Sequence, residues 1–222
     1  MRSIIPLLTL AIGNSFAAPV APTVISPPLP FTVTHPGTYI MTSDLTYTNT
    51  NTANGVTAII VPTNLSGPVI IDLKGHTLTG PGTISVGVGI GFYAGTTTTT
   101  NLGITIRNGT IKNFTRGVNA IVGGVYLTNI NVNHVSFFTA VIPGSNDDAG
   151  IIIDGCNDSS VTNCTFNVGD VGISDQFSQG GNHYSNDTFL NVFECLKIIG
   201  QGAIHAGEST VIDRCDIAAP PL

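Results

Sequence analysis

The chain contains no tryptophan, and charged residues make up only 9% of its 222 positions, against roughly 25% in an average soluble domain. Its seven basic residues argue against nucleic acid as a partner, because phosphate recognition relies on clustered Lys and Arg. After the N-terminus no run of about 18 apolar residues occurs, so no membrane span is expected. The four cysteines, Cys156, Cys164, Cys195 and Cys215, include no Cys-x-x-Cys pair, which speaks against zinc or dithiol chemistry. Helical periodicity is almost lacking. What is present is 42% apolar residues, 26 glycines, 13 prolines and a net charge of only -6, enough core-forming surface to exclude high-charge disorder.

Met1-Arg2, the apolar stretch 4–12 and the small-residue site Ser15-Phe16-Ala17 have the layout of a secretory signal peptide over residues 1–17. A Pro-rich linker is expected over 18–30 and one domain over 31–222. Export to a secreted, extracellular or cell-surface location makes the cysteines candidates for disulfides.

Six short segments superimpose on one another. Leu73-Lys74-Gly75-His76-Thr77-Leu78 aligns with Ile106-Arg107-Asn108-Gly109-Thr110-Ile111 and with Val132-Asn133-His134-Val135-Ser136-Phe137. Val161-Thr162-Asn163-Cys164-Thr165-Phe166, Tyr184-Ser185-Asn186-Asp187-Thr188-Phe189 and Ile212-Asp213-Arg214-Cys215-Asp216-Ile217 continue the series. The third positions are 33, 26, 29, 23 and 28 residues apart, which fits neither heptads nor helical solenoids. Each copy alternates apolar and polar residues between Gly, Asn or Asp, the pattern of a short half-buried strand. A second set of strands is expected over 87–92, 117–122, 150–153, 172–174 and 196–199.

A unit this small buries its apolar side only by stacking on the next. Parallel stacking at about 4.8 Å per coil predicts an all-β, parallel β-helix of about six to seven coils. Gly75, Asn108, Asn163 and Asn186 suit left-handed backbone at a corner, a pattern that His134 and Arg214 break. Thr77, Thr110, Ser136, Thr165, Thr188 and Asp216 form an outward column. In this geometry Cys164 and Cys215 lie about 9.6 Å apart, too far for a bridge; the cysteines are either buried free thiols or, if bridged, paired as Cys156–Cys164 and Cys195–Cys215. The threonines at 96–100 are expected to form an exposed loop. Six Asn-x-Ser/Thr triplets begin at Asn64, Asn108, Asn113, Asn157, Asn163 and Asn186, several of them within the structural repeat.

Pro36-Gly37-Thr38-Tyr39, leading into Asp44-Leu45 and then Ile71-Asp72-Leu73-Lys74-Gly75-His76-Thr77-Leu78, resembles right-handed parallel β-helix proteins of the pectin-lyase-like superfamily. The resemblance extends over residues 31–217. It implies a right-handed solenoid, in keeping with the chirality of β-crossovers, and an N-terminal cap around residues 31–46.

Charge is uneven: residues 18–139 carry two acidic and four basic side chains, residues 140–222 eleven and two. An acidic half suits a hard cation. Asp148 and Asp170, 22 residues apart, are predicted on neighbouring rungs, where two carboxylates either split their pKa values or share Ca²⁺. Asp147 and Asp175 are near enough in sequence to complete a metal site. Of the motifs typical of β-helix polygalacturonases only Asp147-Asp148 is matched, while the calcium-dependent lyases of the fold imply a base, for which Lys197 and Arg214 are available, with His183 and His205 as substitutes. The expected catalytic set is Asp148, Asp170 and Lys197, and the expected partner is a polysaccharide or cell-surface glycan. A non-catalytic structural or adhesion module is the alternative.

Overall fold

The computed structural model describes residues 20–48, 56–82, 87–93, 99–120, 126–139, 148–178, 180–199 and 210–218. The described residues form strands and turns without helices. They build two sheets, of thirteen and seven strands, in which the paired strands run parallel. This all-β arrangement is compatible with a parallel β-solenoid.

The larger sheet follows the order Thr23–Ile25, Gly37–Met41, Val69–Asp72, Thr99–Lys112, Tyr126–Phe138, Ser160–Thr162, His183–Ser185 and Val211–Asp213. Its other strands, Leu45–Thr46, Thr77–Thr79, Thr165–Asn167, Thr188–Leu190 and Asp216–Ala218, continue the same layers past a bend. The smaller sheet runs Phe31–Thr32, Val56–Pro62, Gly87–Tyr93, Arg116–Asn119, Ala149–Ile152, Val171–Gln176 and Glu194–Ile199. Pairing begins at Thr23–Ile25, which matches Tyr39, Ile40 and Met41, so the stretch expected as a linker contributes a strand. Thr99 and Thr100 pair with Tyr126 and Leu127 rather than lying in a loop; residues 96–98 are outside the described residues.

Two inward files carry the core. Phe31, Ile59, Ile90, Val118, Ile151, Ile173 and Leu196 stack along the smaller sheet. Along the larger one, Leu78, Ile111, Phe137, Phe166, Phe189 and Ile217 stack, with Phe137–Phe166 and Phe166–Phe189 centroids 5.1 and 5.0 Å apart and the rings near parallel. That phenylalanine stack demands a thin opposing wall. Gly117, Gly150 and Gly172 supply it: an added Cβ would approach Phe137, Phe166 and Phe189 to 2.5, 2.5 and 2.6 Å.

The bend is a file of left-handed residues, namely Gly75, Asn108, His134, Asn163, Asn186 and Arg214. His134 and Arg214 therefore keep the corner geometry although their side chains do not favour it. The first repeat differs from its sequence alignment. Ile71, not Leu73, pairs with Ile106, whereas Thr77 pairs with Thr110, so 73–76 holds two more residues than the corresponding bend at 108–109. The column Thr77, Thr110, Ser136, Thr165, Thr188 and Asp216 is in register as expected.

All four cysteines are free thiols. Neither Cys156–Cys164 nor Cys195–Cys215 is bridged, and three of the thiols turn to separate backbone carbonyls. Cys156 Sγ lies 3.7 Å from Ala120 O and Cys164 Sγ 3.4 Å from Thr162 O, while Cys215 Sγ faces Asp213 O at 3.7 Å.

Candidate functional site

Asp148 and Asp170 do fall on neighbouring rungs. The Ala149 N–H donates to Thr115 O (2.9 Å), Val171 N–H to Asp148 O (3.1 Å) and Glu194 N–H to Asp170 O (2.9 Å), which makes Thr115, Asp148, Asp170 and Phe193 one file. Asp148 is buried and Asp170 partly exposed. Asp147 lies outside the described residues. Lys197 pairs with Ser174 on the next strand position outward, is half-buried, and makes no ion pair among the described residues.

Asp175 belongs elsewhere. Its carboxylate is 1% exposed and saturated by donors from its own surroundings. Tyr184 Oη donates at 2.6 Å and Asn182 Nδ2 at 3.1 Å to Oδ2, and Ser178 Oγ donates to Oδ1. Asn182 further accepts from Ser159 N–H (2.9 Å) and donates to Cys156 O (2.9 Å), so the network fastens the turn around residues 178–182 to the preceding rung. Burial, together with the charge of Asp175, holds the Tyr184 phenol and the Cys156 thiol in their neutral forms, far above their ordinary ranges. Asp175 thus directs its oxygens to protein donors of its own surroundings, apart from the file of Asp148 and Asp170. Among the described residues no group of three or more His, Cys, Asp or Glu is placed to hold a metal ion, and Asp147, a member of the expected set, lies outside them.

Burial raises two carboxyls, Asp154 and Asp187. Burial pushes Asp154 up, while Gln176 N–H (2.9 Å) and Ser174 Oγ (3.3 Å) donate to it and pull it down; neighbouring Asp175 adds to the rise and Arg116 opposes it. Asp187 is fully buried, and burial pushes its carboxyl up to about 7 against backbone donors at Cys164 and Ser185. The sequence carries a signal for Asp187: it occupies the repeat position held by Val135 and Cys164, both core residues.

The outer surface of the larger sheet is polar and ordered in files. Ser160 Oγ donates to Asn131 Oδ1 (2.7 Å), and Asn133 Nδ2 donates to Thr162 Oγ1 (2.5 Å). At one end of the files Asp72 accepts from Arg107 Nε (2.9 Å), Lys74 N–H (3.0 Å) and Asn108 Nδ2 (3.2 Å).

At the edge between this surface and the smaller sheet, Gly169, Asn191, Val192 and Phe193 line an open groove. Phe193 is 89% exposed. Asn191, which lines the groove with Phe193, donates through Nδ2 to Asn167 Oδ1 (3.2 Å) on the adjacent rung, and Asp170 precedes Phe193 in its file. No family model, no curated protein and no solved structure matches the chain.

Proposed function

We propose that this chain is an exported right-handed parallel β-helix protein of the pectin-lyase-like type, and that it binds a neutral extracellular polysaccharide at the Phe193 groove without a calcium centre. The observation that carries the binding reading is the groove itself. An uncovered aromatic face beside hydrogen-bonding amides matches a sugar ring, which offers C–H bonds on one face and hydroxyls around its rim. Parallel pairing and the left-handed corner file support the β-helix reading, and the leader-like N-terminus supports export.

The charge distribution selects the glycan class. Residues 140–222, which contain the groove, carry eleven acidic and two basic side chains. Without a cation to bridge them, a polyuronide is repelled, whereas a neutral chain is not.

Affinity electrophoresis of the purified protein through gels containing neutral or acidic polysaccharides tests the reading. Retardation by a neutral polysaccharide, unchanged by EDTA and weakened about tenfold in Phe193→Ala, is expected. Migration indifferent to every neutral polysaccharide, or retardation that requires Ca²⁺, overturns it.

A further inference from the structure

Asp187 faces inward from the turn between the strands His183–Ser185 and Thr188–Leu190. Its Oδ1 accepts from the Cys164 N–H at 2.8 Å, whereas its Oδ2 is buried and has no hydrogen-bond partner. Thr188 N–H donates to Cys164 O (2.9 Å) and Asp216 N–H to Asp187 O (2.8 Å), so Asp187 lies directly between Cys164 and Cys215 on the two adjoining rungs.

Among the described residues no cation reaches it from either side. Cys164 faces it from the inner rung, its thiol pushed by burial up to about 12, and Cys215 from the outer rung, its thiol also raised by burial. The outer rung contributes Asp213, Arg214 and Asp216, but Arg214 Nε is turned to Asp213 Oδ2 at 2.9 Å. His183, on Asp187's own rung, points outward and is exposed. A carboxylate here would have the backbone donors at Cys164 and Ser185 but no facing cation among the described residues, and the unpartnered Oδ2 would carry the desolvation cost.

The outer rung is also weakly held. Ile212 and Ile217 occupy the core files of Tyr184 and Phe189, yet they are 55% and 70% exposed, so lifting residues 211–218 forfeits little apolar burial. We propose that Asp187 is an acid-sensitive latch: protonated, it lets the rung 211–218 close over it, and ionised, it releases that rung, which gives its carboxylate access to water.

Release exchanges a buried carboxyl for a hydrated one of ordinary pKa near 3.9. The closed form therefore binds one more proton than the open form between about pH 4 and about pH 7, and the opening equilibrium rises about tenfold per pH unit across that window before levelling off. The latch rests on the fold and not on glycan binding, so it stands or falls apart from the groove.

Hydrogen–deuterium exchange of the full chain, followed for the amides of residues 211–218 and corrected for intrinsic exchange, reads this equilibrium directly. The expected result is a pH-dependent opening in the native chain, a flat profile in Asp187→Asn and in Asp187→Val, the latter placing in the file the residue type found at Val135, and the native slope in Asp213→Asn. Two variants guard against one failing to fold. A native profile that is flat between pH 4 and pH 7, a slope that survives both Asp187 substitutions, or a slope abolished by Asp213→Asn overturns the proposal.

Discussion

Gly150 and Phe166 touch so closely that a single methyl group on Gly150 would lie 2.5 Å from Phe166 Cδ1. The carbonyl of Gly172, 2.8 Å from the same point, closes the other way out. Gly150→Ala is therefore expected to destabilise the protein by about 1–3 kcal/mol through overpacking. Urea unfolding of Gly150→Ala, Phe166→Leu and the double variant checks the cause. The smaller partner should recover part of the loss, and strictly additive effects would count against steric contact.

The Tyr184 hydroxyl is one of three donors to the buried Asp175 carboxylate. Tyr184→Phe leaves the ring in the core but removes the donor, and the expected cost is about 1–3 kcal/mol. Equilibrium denaturation at neutral pH measures it. A variant as stable as the native chain would mean that the hydroxyl contributes nothing to holding the turn.

Asp72 joins the first repeat to the second. Burial raises its carboxyl, but donation from Lys74 N–H, Asn108 Nδ2 and Arg107 prevails and holds it below the usual carboxylate range. A depressed folded pKa contributes stability above the unfolded value near 3.9 and loses it as pH falls through the folded value. Asp72→Asn should cost about 1 kcal/mol at pH 7, tempered by the partial exposure of Arg107, and the gap between variant and native melting temperatures should narrow as pH falls below the unfolded value near 3.9. A gap independent of pH would remove the charge from the explanation.

With all four thiols free, the cysteines are expected to leave thermal stability unaffected by reductant. Cys156 and Cys164 should resist thiol reagents in the native state and react on unfolding, since both are buried and burial raises both thiols. A fall in melting temperature with dithiothreitol, or fewer than four reactive thiols in the denatured unreduced chain, would show a bridge.

His134 and Arg214 adopt φ of 53° and 49°, a conformation costly for a residue without a short polar side chain. Replacing exposed His134 with Asn, the residue at the same corner in Asn108 and Asn163, should raise stability by up to about 1 kcal/mol. Calorimetry checks this, and a lower melting temperature would mean that the imidazole contributes more than its strained backbone loses.

Much of the architecture can be read from the residues alone. The column from Thr77 to Asp216 and the rung relation of Asp148 to Asp170 follow from alternation and spacing, because inward and outward positions in stacked parallel strands repeat with the rungs. The left-handed corner at His134 and Arg214 was less legible, since composition argued against what the neighbouring rungs impose.

Residue order alone thus established the strand type, the stacking and the chemistry available to each rung: local alternation and turn residues act within a few positions and leave their mark in the string. Three-dimensional packing decided the direction of each polar group. Asp175 accepts from Tyr184 in the core, the thiols of Cys156, Cys164 and Cys215 face separate carbonyls, and residues 73–76 took up two extra positions without disturbing Thr77. Those outcomes depend on which donors and ring edges from distant rungs converge in the core, and sequence spacing does not encode that convergence.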